Sequence, residues 1–482
     1  MTKKGKSVKT NLLYNTIYQI TVTILPLITT PYLSRVVAAK GIGIYSYYNS
    51  ITTYFMYFGM LGISNYVNRS IAKTNSLEKR NEKFSSIYYL QIITSLIVIL
   101  LYFLFCVLFI KENRTIGLIF SLQVISVIFD VSWLFFGLQE FKTTALRQIF
   151  VRLVAFFSII IFVKSPGDLW KYVVIMCFST FFSSFILWVM AWKKVKLVRI
   201  SKRDIVKHFK PVLILFIPII ATSVYRVMDI IMLGSLRTMK EVGFYENSQK
   251  LITISLGIIA SFGAVMMPKI SNLLSNNKID EARKMFDKSM EFALCIGMAI
   301  AFGISSVSKE FVPIFFGKEF IPSINYSMFL SITVPFITWA AIVRLLYLIP
   351  TEHDKIYVTS VIVGAVLNFV TNLLLMKSLG VYGAIIGTII AEVSVATYQT
   401  IKVGKQIEFK KHLREALIFL LIGSVMFVFV RVCAFLLPSN VFGLLLEITF
   451  GGLIYILFSF LYFYYTKNDI LLNVLKKKGL VK

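Results

Sequence analysis

The sequence from 86 to 110 reads SIYYLQIITSLIVILLYFLFCVLFI and contains no charged residue. A helix of about 20 mainly apolar residues crosses the hydrocarbon core of a bilayer, which is roughly 30 Å thick. Such a helix satisfies its backbone hydrogen bonds internally, as lipid requires. The segment therefore predicts a transmembrane helix rather than the core of a soluble domain.

Similar apolar stretches recur along all 482 residues of the chain. The other predicted spans are 12–33, 42–64, 116–138, 146–163, 170–191, 211–234, 248–268, 289–308, 322–348, 356–376, 381–400, 413–436 and 441–465. Hydrophobic residues make up 57% of the chain and charged residues 15%, whereas soluble domains contain about 25% charged residues. We therefore expect an all-α integral membrane protein with about fourteen transmembrane helices.

The formal net charge is +28, which raises the possibility of nucleic-acid binding. The basic residues form short runs between apolar stretches, however, and no aromatic-basic recognition motif accompanies them, so no nucleic-acid partner is expected. With the N-terminus placed inside, 35 of the 51 lysines and arginines fall in cytoplasmic segments, 12 on the other side and four inside spans. Cytoplasmic loops carry such an excess, so the sequence predicts a multi-pass protein of the cell membrane with both termini in the cytoplasm.

The most basic segment, KKVKLVRISKRDIVKHFK at 193–210, lies between the sixth and seventh predicted spans. We interpret it as a cytoplasmic linker that follows an N-terminal six-helix lobe at 1–192. A C-terminal six-helix lobe at 211–400 follows, and 401–482 adds two helices and a basic tail. The linker also suits contact with anionic lipid head groups.

The beginnings of the two predicted lobes share a pattern. Leu25-Pro26-Leu27-Ile28 precedes Gly43-Ile44-Tyr45 in the first, and Ile217-Pro218-Ile219-Ile220 precedes Gly243-Phe244-Tyr245 in the second. Many transporters consist of internal repeats with the substrate site at the repeat interface. The pattern favours two pseudo-symmetric lobes and a transport function.

Ionisable side chains inside membrane spans are costly and commonly mark a transport pathway. Here they are Asp130, Arg152, Arg226, Asp229, Arg344, Glu392, Arg431 and Glu447. Arg226 and Asp229 are three residues apart on one helix face, so they either pair locally or Arg226 binds an anion that Asp229 orients. Several of the arginines, Arg431 among them, also have the alternative of snorkelling to the interface. The excess of arginine over acid predicts a net-positive cavity suited to phosphate.

No metal or cofactor site is expected from the sequence. The four cysteines lie singly in apolar stretches, and the three histidines, His208, His353 and His412, fall in polar loops. No GxxxxGK[ST] phosphate-binding loop occurs. Any energy for transport is therefore expected from an ion gradient, with H+ or Na+ as the coupling ion, the membrane potential or consumption of the product.

Three stretches carry a resemblance to a known family. They are LPLITTPYLSRVVAAKGIGIYSYYNS at 25–50, WLFFGLQEFKTTALRQIFVRL at 133–153 and VGFYENSQKL at 242–251. The chain resembles the Wzx-type polysaccharide flippases, which share a superfamily with the MATE drug exporters and the lipid II flippases. The resemblance implies a MATE-like fold of two lobes around a cationic cavity, opening alternately to the two membrane faces.

The resemblance also implies a cargo and a set of residues. The cargo is a polyprenyl-pyrophosphate-linked oligosaccharide used for capsular or exopolysaccharide synthesis, and the expected partners are membrane lipids, a polysaccharide polymerase and glycosyltransferases. By position the motif arginines are Arg35, Arg147 and Arg152; with Arg226 and Arg344 they form the predicted pyrophosphate-binding set. Asp130, Asp229 and Glu392 are the predicted polar or coupling residues of the cavity.

Two alternatives stay open at this stage. An ion-coupled multidrug exporter of the same superfamily would favour acidic rather than basic cavity residues. A membrane-bound polysaccharide polymerase would need a long outer loop or a metal-binding motif, and the sequence has neither, so we expect a transporter and not an enzyme.

Overall fold

The computed structural model describes residue 21 and residues 24–71, 76–138 and 140–466, with the side chains of 68–71, 141, 225, 226 and 405 outside the description. Helices dominate and no strand occurs within these ranges. The all-α class predicted from the sequence is therefore confirmed.

The helices are numbered in chain order from the segment 24–36, which we name α1. The remainder are α2 Ala38–Met60, α3 Ile63–Ile71, α4 Leu77–Leu108, α5 Arg114–Phe129, α6 Ser132–Gly137, α7 Phe141–Phe162, α8 Leu169–Ala191, α9 Lys202–Val206, α10 Phe209–Ser223, α11 Asp229–Leu236, α12 Met239–Ser275, α13 Ile279–Phe315, α14 Ser323–Ser331, α15 Thr333–Val343, α16 Asp354–Leu379, α17 Val381–Val403, α18 Phe409–Leu436 and α19 Val441–Tyr465.

Twelve helical stretches within the described ranges are long and apolar enough to cross a membrane. They coincide with twelve of the fourteen predicted spans, from 86–110 to 441–465. Of the other two, 12–33 lies half outside the described residues, and its described stretch, 24–33, belongs to α1. Large apolar side chains such as Leu100, Leu421 and Phe435 are exposed on these helices, as expected where lipid covers the surface. The chain is a multi-pass membrane protein.

The remaining predicted span, 42–64, forms α2, which has 23 residues but is not among the twelve apolar helices. Its tyrosines and hydroxyl residues lower its hydropathy, and several of them are buried. Tyr48 donates a hydrogen bond to the Glu112 carbonyl (2.6 Å), and Thr52 lies 3.3 Å from the Tyr102 hydroxyl. Protein rather than lipid therefore surrounds much of this helix.

Two compact units divide the chain, Met1–Gly243 and Phe244–Lys482. The segment 193–210 belongs to the first unit, where Asn81 and Ser85 of α4 accept backbone hydrogen bonds from Lys196 and Val198, both at 3.0 Å. The lobe boundaries at 192/193, 210/211 and 400/401 stay a prediction.

The two glycines of the repeated pattern pack closely within the first unit. A Cβ atom on Gly43 would overlap the Met239 carbonyl, and one on Gly243 would overlap the Ala39 carbonyl. The start of α2 and the start of α12 therefore approach backbone to backbone, as small residues allow in membrane helices. This packing gives a physical reason for glycine at both positions.

The core of the second unit joins α13, α15, α17, α18 and α19, with Met290, Trp339 and Phe419 among its buried members. A sharp reversal at Gly380, whose φ of 57° suits glycine, joins α16 and α17 into a hairpin. A polar residue also lies in this core: His412 contacts Glu415 at 2.8 Å and Asp287 at 3.0 Å.

The expectation that all three histidines lie in polar loops is wrong for His412, whereas His208 does lie in the turn before α10. His412 is a fully buried residue of α18 that connects it to α13. His208 is also buried, with its ring nitrogens 2.8 Å from the Tyr66 hydroxyl and 2.9 Å from the Ser86 hydroxyl. Apart from Glu415, their polar partners lie far away in sequence, so the local composition does not reveal the burial.

Candidate substrate cavity

The cavity begins with a helix break at Asp130. α5 ends at Phe129 and α6 begins at Ser132, whose backbone N–H donates to Asp130 Oδ1 at 3.0 Å. Gln91 holds the break from α4: its Nε2 donates to the carbonyls of Val127 (2.7 Å) and Asp130 (3.0 Å), and its Oε1 accepts from Trp133 Nε1 (2.8 Å). Irregular backbone at membrane depth is tolerated where protein groups or a water-filled cavity satisfy it.

Beside this break lies a cavity of about 440 Å³ within the first unit. It is lined by residues of α1, α6, α7 and α8 and by Asp130. The polar lining residues are Thr29, Asp130, Ser132, Arg147, Gln148, Arg152, Ser179, Thr180, Ser183 and Ser184. Two arginines against one aspartate give the lining a formal positive charge.

The two cavity arginines come from α7 and differ in exposure. Arg147 is partly buried and donates a hydrogen bond to the Ser183 carbonyl of α8. Arg152 is exposed and, within the part of the chain that the structure describes, forms no ion pair with a carboxylate. Gln148, four residues before Arg152, shares its helix face. One guanidinium is thus held in place while the other is available to a ligand.

The structure thus brings together three of the predicted site residues, Asp130, Arg147 and Arg152. Arg35 is not among the cavity's lining residues; it lies exposed near the end of α1 and donates to the Pro31 carbonyl, 3.0 Å away in its own helix. Its predicted contact with pyrophosphate stays a prediction.

Arg226 and Asp229 flank the end of a π-helical segment, Val224–Met228, that separates α10 from α11. The side chain of Arg226 lies outside the described residues. Asp229 is fully buried at the first position of α11. Insertions of this kind occur frequently at functional sites. Both alternatives for these two residues, a local pair or an anion bound by Arg226, stay predictions.

The second unit contains the other two predicted residues. Arg344 opens a second π-helical segment, Arg344–Leu348, and its guanidinium lies 5.4 Å from the centroid of the Tyr357 ring, within cation–π range. Its buried Nε atom has no hydrogen-bond partner among the described residues. Glu392 is buried on α17.

Sequence reasoning missed Gln91, Gln148 and the hydroxyl groups of α8 that line the cavity. Gln91 is a lone amide in an otherwise apolar stretch, and an amide within a membrane span needs a hydrogen-bond partner. That requirement was an available signal. The hydroxyls of Ser179 and Ser183 gave no comparable signal, because a serine in a membrane helix can donate its hydroxyl hydrogen bond to a carbonyl of its own helix. Ser179, for example, donates to the Ile175 carbonyl.

The fold resembles those of solved membrane transport proteins. It is similar to a solved structure of the lipid II flippase MurJ in an inward closed conformation, with a TM-score of 0.77 and 16% identity, covering 95% of this chain and 100% of that one. An inward-facing multidrug transporter of the MATE family follows at a TM-score of 0.54 and 12% identity, with 82% and 98% covered. The chain has the fold of the MOP transporter superfamily, as predicted.

The family follows from the sequence. The profile of the polysaccharide biosynthesis protein family matches residues 8–274, more than half of the chain, so the chain belongs to that family. A Shigella dysenteriae protein named as an O-antigen transporter is 24% identical over 343 residues, which cover 68% of this chain and 83% of the relative. The resemblance to Wzx-type flippases is therefore confirmed.

Proposed function

We propose that this protein is a flippase that moves polyprenyl-pyrophosphate-linked oligosaccharide repeat units across the cell membrane by alternating access. The observation that carries the proposal is the cavity of the first unit, in which Arg147 and Arg152 lie beside hydroxyl and amide groups. Guanidinium groups bind phosphate oxygens through paired hydrogen bonds, and hydroxyl groups suit a sugar. The family and the O-antigen transporter relative support the same cargo class.

Within this proposal the cavity residues have different roles. Arg152 meets the pyrophosphate because its guanidinium is exposed, and Arg147, fixed on the Ser183 carbonyl, adds a second positive charge. Asp130 orients the backbone of the break and limits the net charge, so that the anion is able to leave again. A ligand drives a conformational change only through different affinities for the two states.

Three further features belong to the proposal. Both termini lie in the cytoplasm, which places Arg147 near the cytoplasmic end of α7. Transport by this protein uses a proton or sodium gradient rather than ATP. A polysaccharide polymerase and glycosyltransferases act on the same lipid-linked material in the same membrane. No catalytic step is assigned to the chain, and its relatives are transporters and flippases.

The test is a flipping assay with purified full-length protein in liposomes. A fluorescent polyprenyl-pyrophosphate oligosaccharide is placed in both leaflets, and its access to an enzyme added outside is followed with time. We expect the protein to make the inner-leaflet pool accessible to the added enzyme. In liposomes without protein, or with heat-inactivated protein, only the outer-leaflet pool should be accessible. Exchange of a cationic dye against protons, without movement of the lipid-linked sugar, would instead identify a multidrug exporter.

A further inference from the structure

A second charged cluster lies among the helices of the second unit. Arg431 of α18 donates hydrogen bonds to both carboxylate oxygens of Glu310 on α13, at 2.7 and 2.8 Å, and to the Ser306 carbonyl at 2.6 Å. A bidentate ion pair thus holds the guanidinium of Arg431. Its snorkelling to the interface stays a prediction.

Glu447 lies on α19, which packs against both α13 and α18, the helices that carry the ion pair. Its side chain is 1% exposed, and its Oε2 atom has no hydrogen-bond partner within the described part of the chain. Glu310 and Arg431 both act on it electrostatically. Since Glu447 lies six residues into α19, it is about 9 Å from the helix end, at 1.5 Å per residue.

The charges of this cluster do not balance if every group is ionised. One guanidinium faces two carboxylates, and Glu310 already uses both of its oxygens on Arg431. An unpaired carboxylate buried in a membrane protein is strongly disfavoured relative to its neutral form, and a second carboxylate nearby disfavours it further. Glu447 is therefore the group expected to carry the extra proton.

We propose that Glu447 is a proton-binding site in the second unit. Its carboxyl holds one proton while Arg431 pairs with Glu310, and release of that proton leaves a carboxylate that competes with Glu310 for the same guanidinium. Because the Arg431–Glu310 pair joins α18 to α13, the competition changes the link between these helices. The inference that proton release drives transport rests on the proposed function. The proton site itself does not depend on it.

Sodium is the competing ligand, and the geometry disfavours it. A bound metal cation replaces its water shell with several oxygen atoms, whereas Glu310 is already occupied by Arg431. A guanidinium beside the site also repels a metal cation. Among the described residues, the charged groups that act electrostatically on Glu447 are Glu310 from α13 and Arg431 from α18, two helices that pack against α19.

The first test is infrared spectroscopy of the full-length protein in lipid nanodiscs during a pH titration. We expect a carbonyl band of an un-ionised carboxyl group at neutral pH that is lost in Glu447→Gln and kept in Glu281→Gln, an exposed control on α13. Glu310→Gln provides a second variant. It frees Arg431 to pair with an ionised Glu447, so the band should disappear although Glu447 is present.

Two results would overturn the assignment: an unchanged spectrum in Glu447→Gln, or sodium binding that depends on Glu447. Coupling is then measured in liposomes with a pH gradient of either direction. We expect the direction of the gradient to change the flipping rate of the wild type but not that of Glu447→Gln. If the wild type flips no lipid-linked sugar while the infrared band is present, the proposed function fails and the proton site stands.

Discussion

Replacement of Gln91 by leucine is the sharpest test of how the chain builds its cavity. The amide of Gln91 is fully buried and makes three hydrogen bonds, to Val127, Asp130 and Trp133. Leucine has a similar size and fills the space, but it offers neither donor nor acceptor. The substitution leaves the Trp133 indole N–H and the Asp130 carbonyl without these partners.

The magnitude follows from those orphaned groups. A buried polar group that loses its hydrogen bond costs about 1–3 kcal/mol. The Val127 carbonyl retains a backbone bond from Asp130 at 3.2 Å, so two groups rather than three are orphaned. Two orphaned groups therefore cost about 2–6 kcal/mol, and because hydrogen bonds in membrane proteins average nearer ~0.6 kcal/mol each, the lower part of that range applies. We expect Gln91→Leu to lower the free energy of unfolding by about 2–4 kcal/mol.

The assay is unfolding by sodium dodecyl sulfate from mixed micelles, followed by circular dichroism. Gln123→Leu is the matched control, because Gln123 lies on the neighbouring α5, is only partly buried and has no side-chain role in the break. Flipping should also slow in Gln91→Leu, since Asp130 loses its support. Equal stability of the two variants would refute the account of the helix break.

Two other substitutions test packing. Gly43→Ala should destabilise the protein, because the added Cβ atom would overlap the Met239 carbonyl. In the control Gly257→Ala the added Cβ atom meets nothing within 4 Å, so this variant should be neutral or stabilising. Thermal unfolding of both variants is measured in detergent, and equal melting temperatures would contradict the close helix contact. His412→Ala should lower the free energy of unfolding by on the order of 3 kcal/mol, since it breaks a buried network with two carboxylates. The exposed control His353→Ala should change the free energy of unfolding little. Similar unfolding curves for these two variants would refute the role of the network.

The sequence predicted the spans well because each needs only a long apolar run. α2 shows where this measure is incomplete, since its tyrosines are buried by protein and lower its hydropathy. The sequence placed Asp130 inside a span but did not predict that the helix breaks there, because the break depends on Gln91, 39 residues earlier in the chain.

The ionisable residues show the same limit more clearly. Arg152 and Arg147 were identified from a motif, and the structure places both in one cavity with Asp130. The partner of Arg431 was not predictable, because Glu310 lies 121 residues away and no local pattern links them. Burial of His412 likewise arises from Asp287 of a distant helix. Single side chains acquire their partners only through packing between helices.

The most direct test of the central claim compares flipping of the lipid-linked oligosaccharide by the wild type, Arg152→Gln and Arg203→Gln. Arg203 is an exposed arginine of α9 outside the cavity, so its substitution controls for the loss of one positive charge. The account predicts that Arg152→Gln lowers the rate by at least tenfold, equivalent to about 1.4 kcal/mol, while folding is unchanged and Arg203→Gln behaves like the wild type. Equal flipping by all three proteins would contradict the claim that this cavity binds the pyrophosphate.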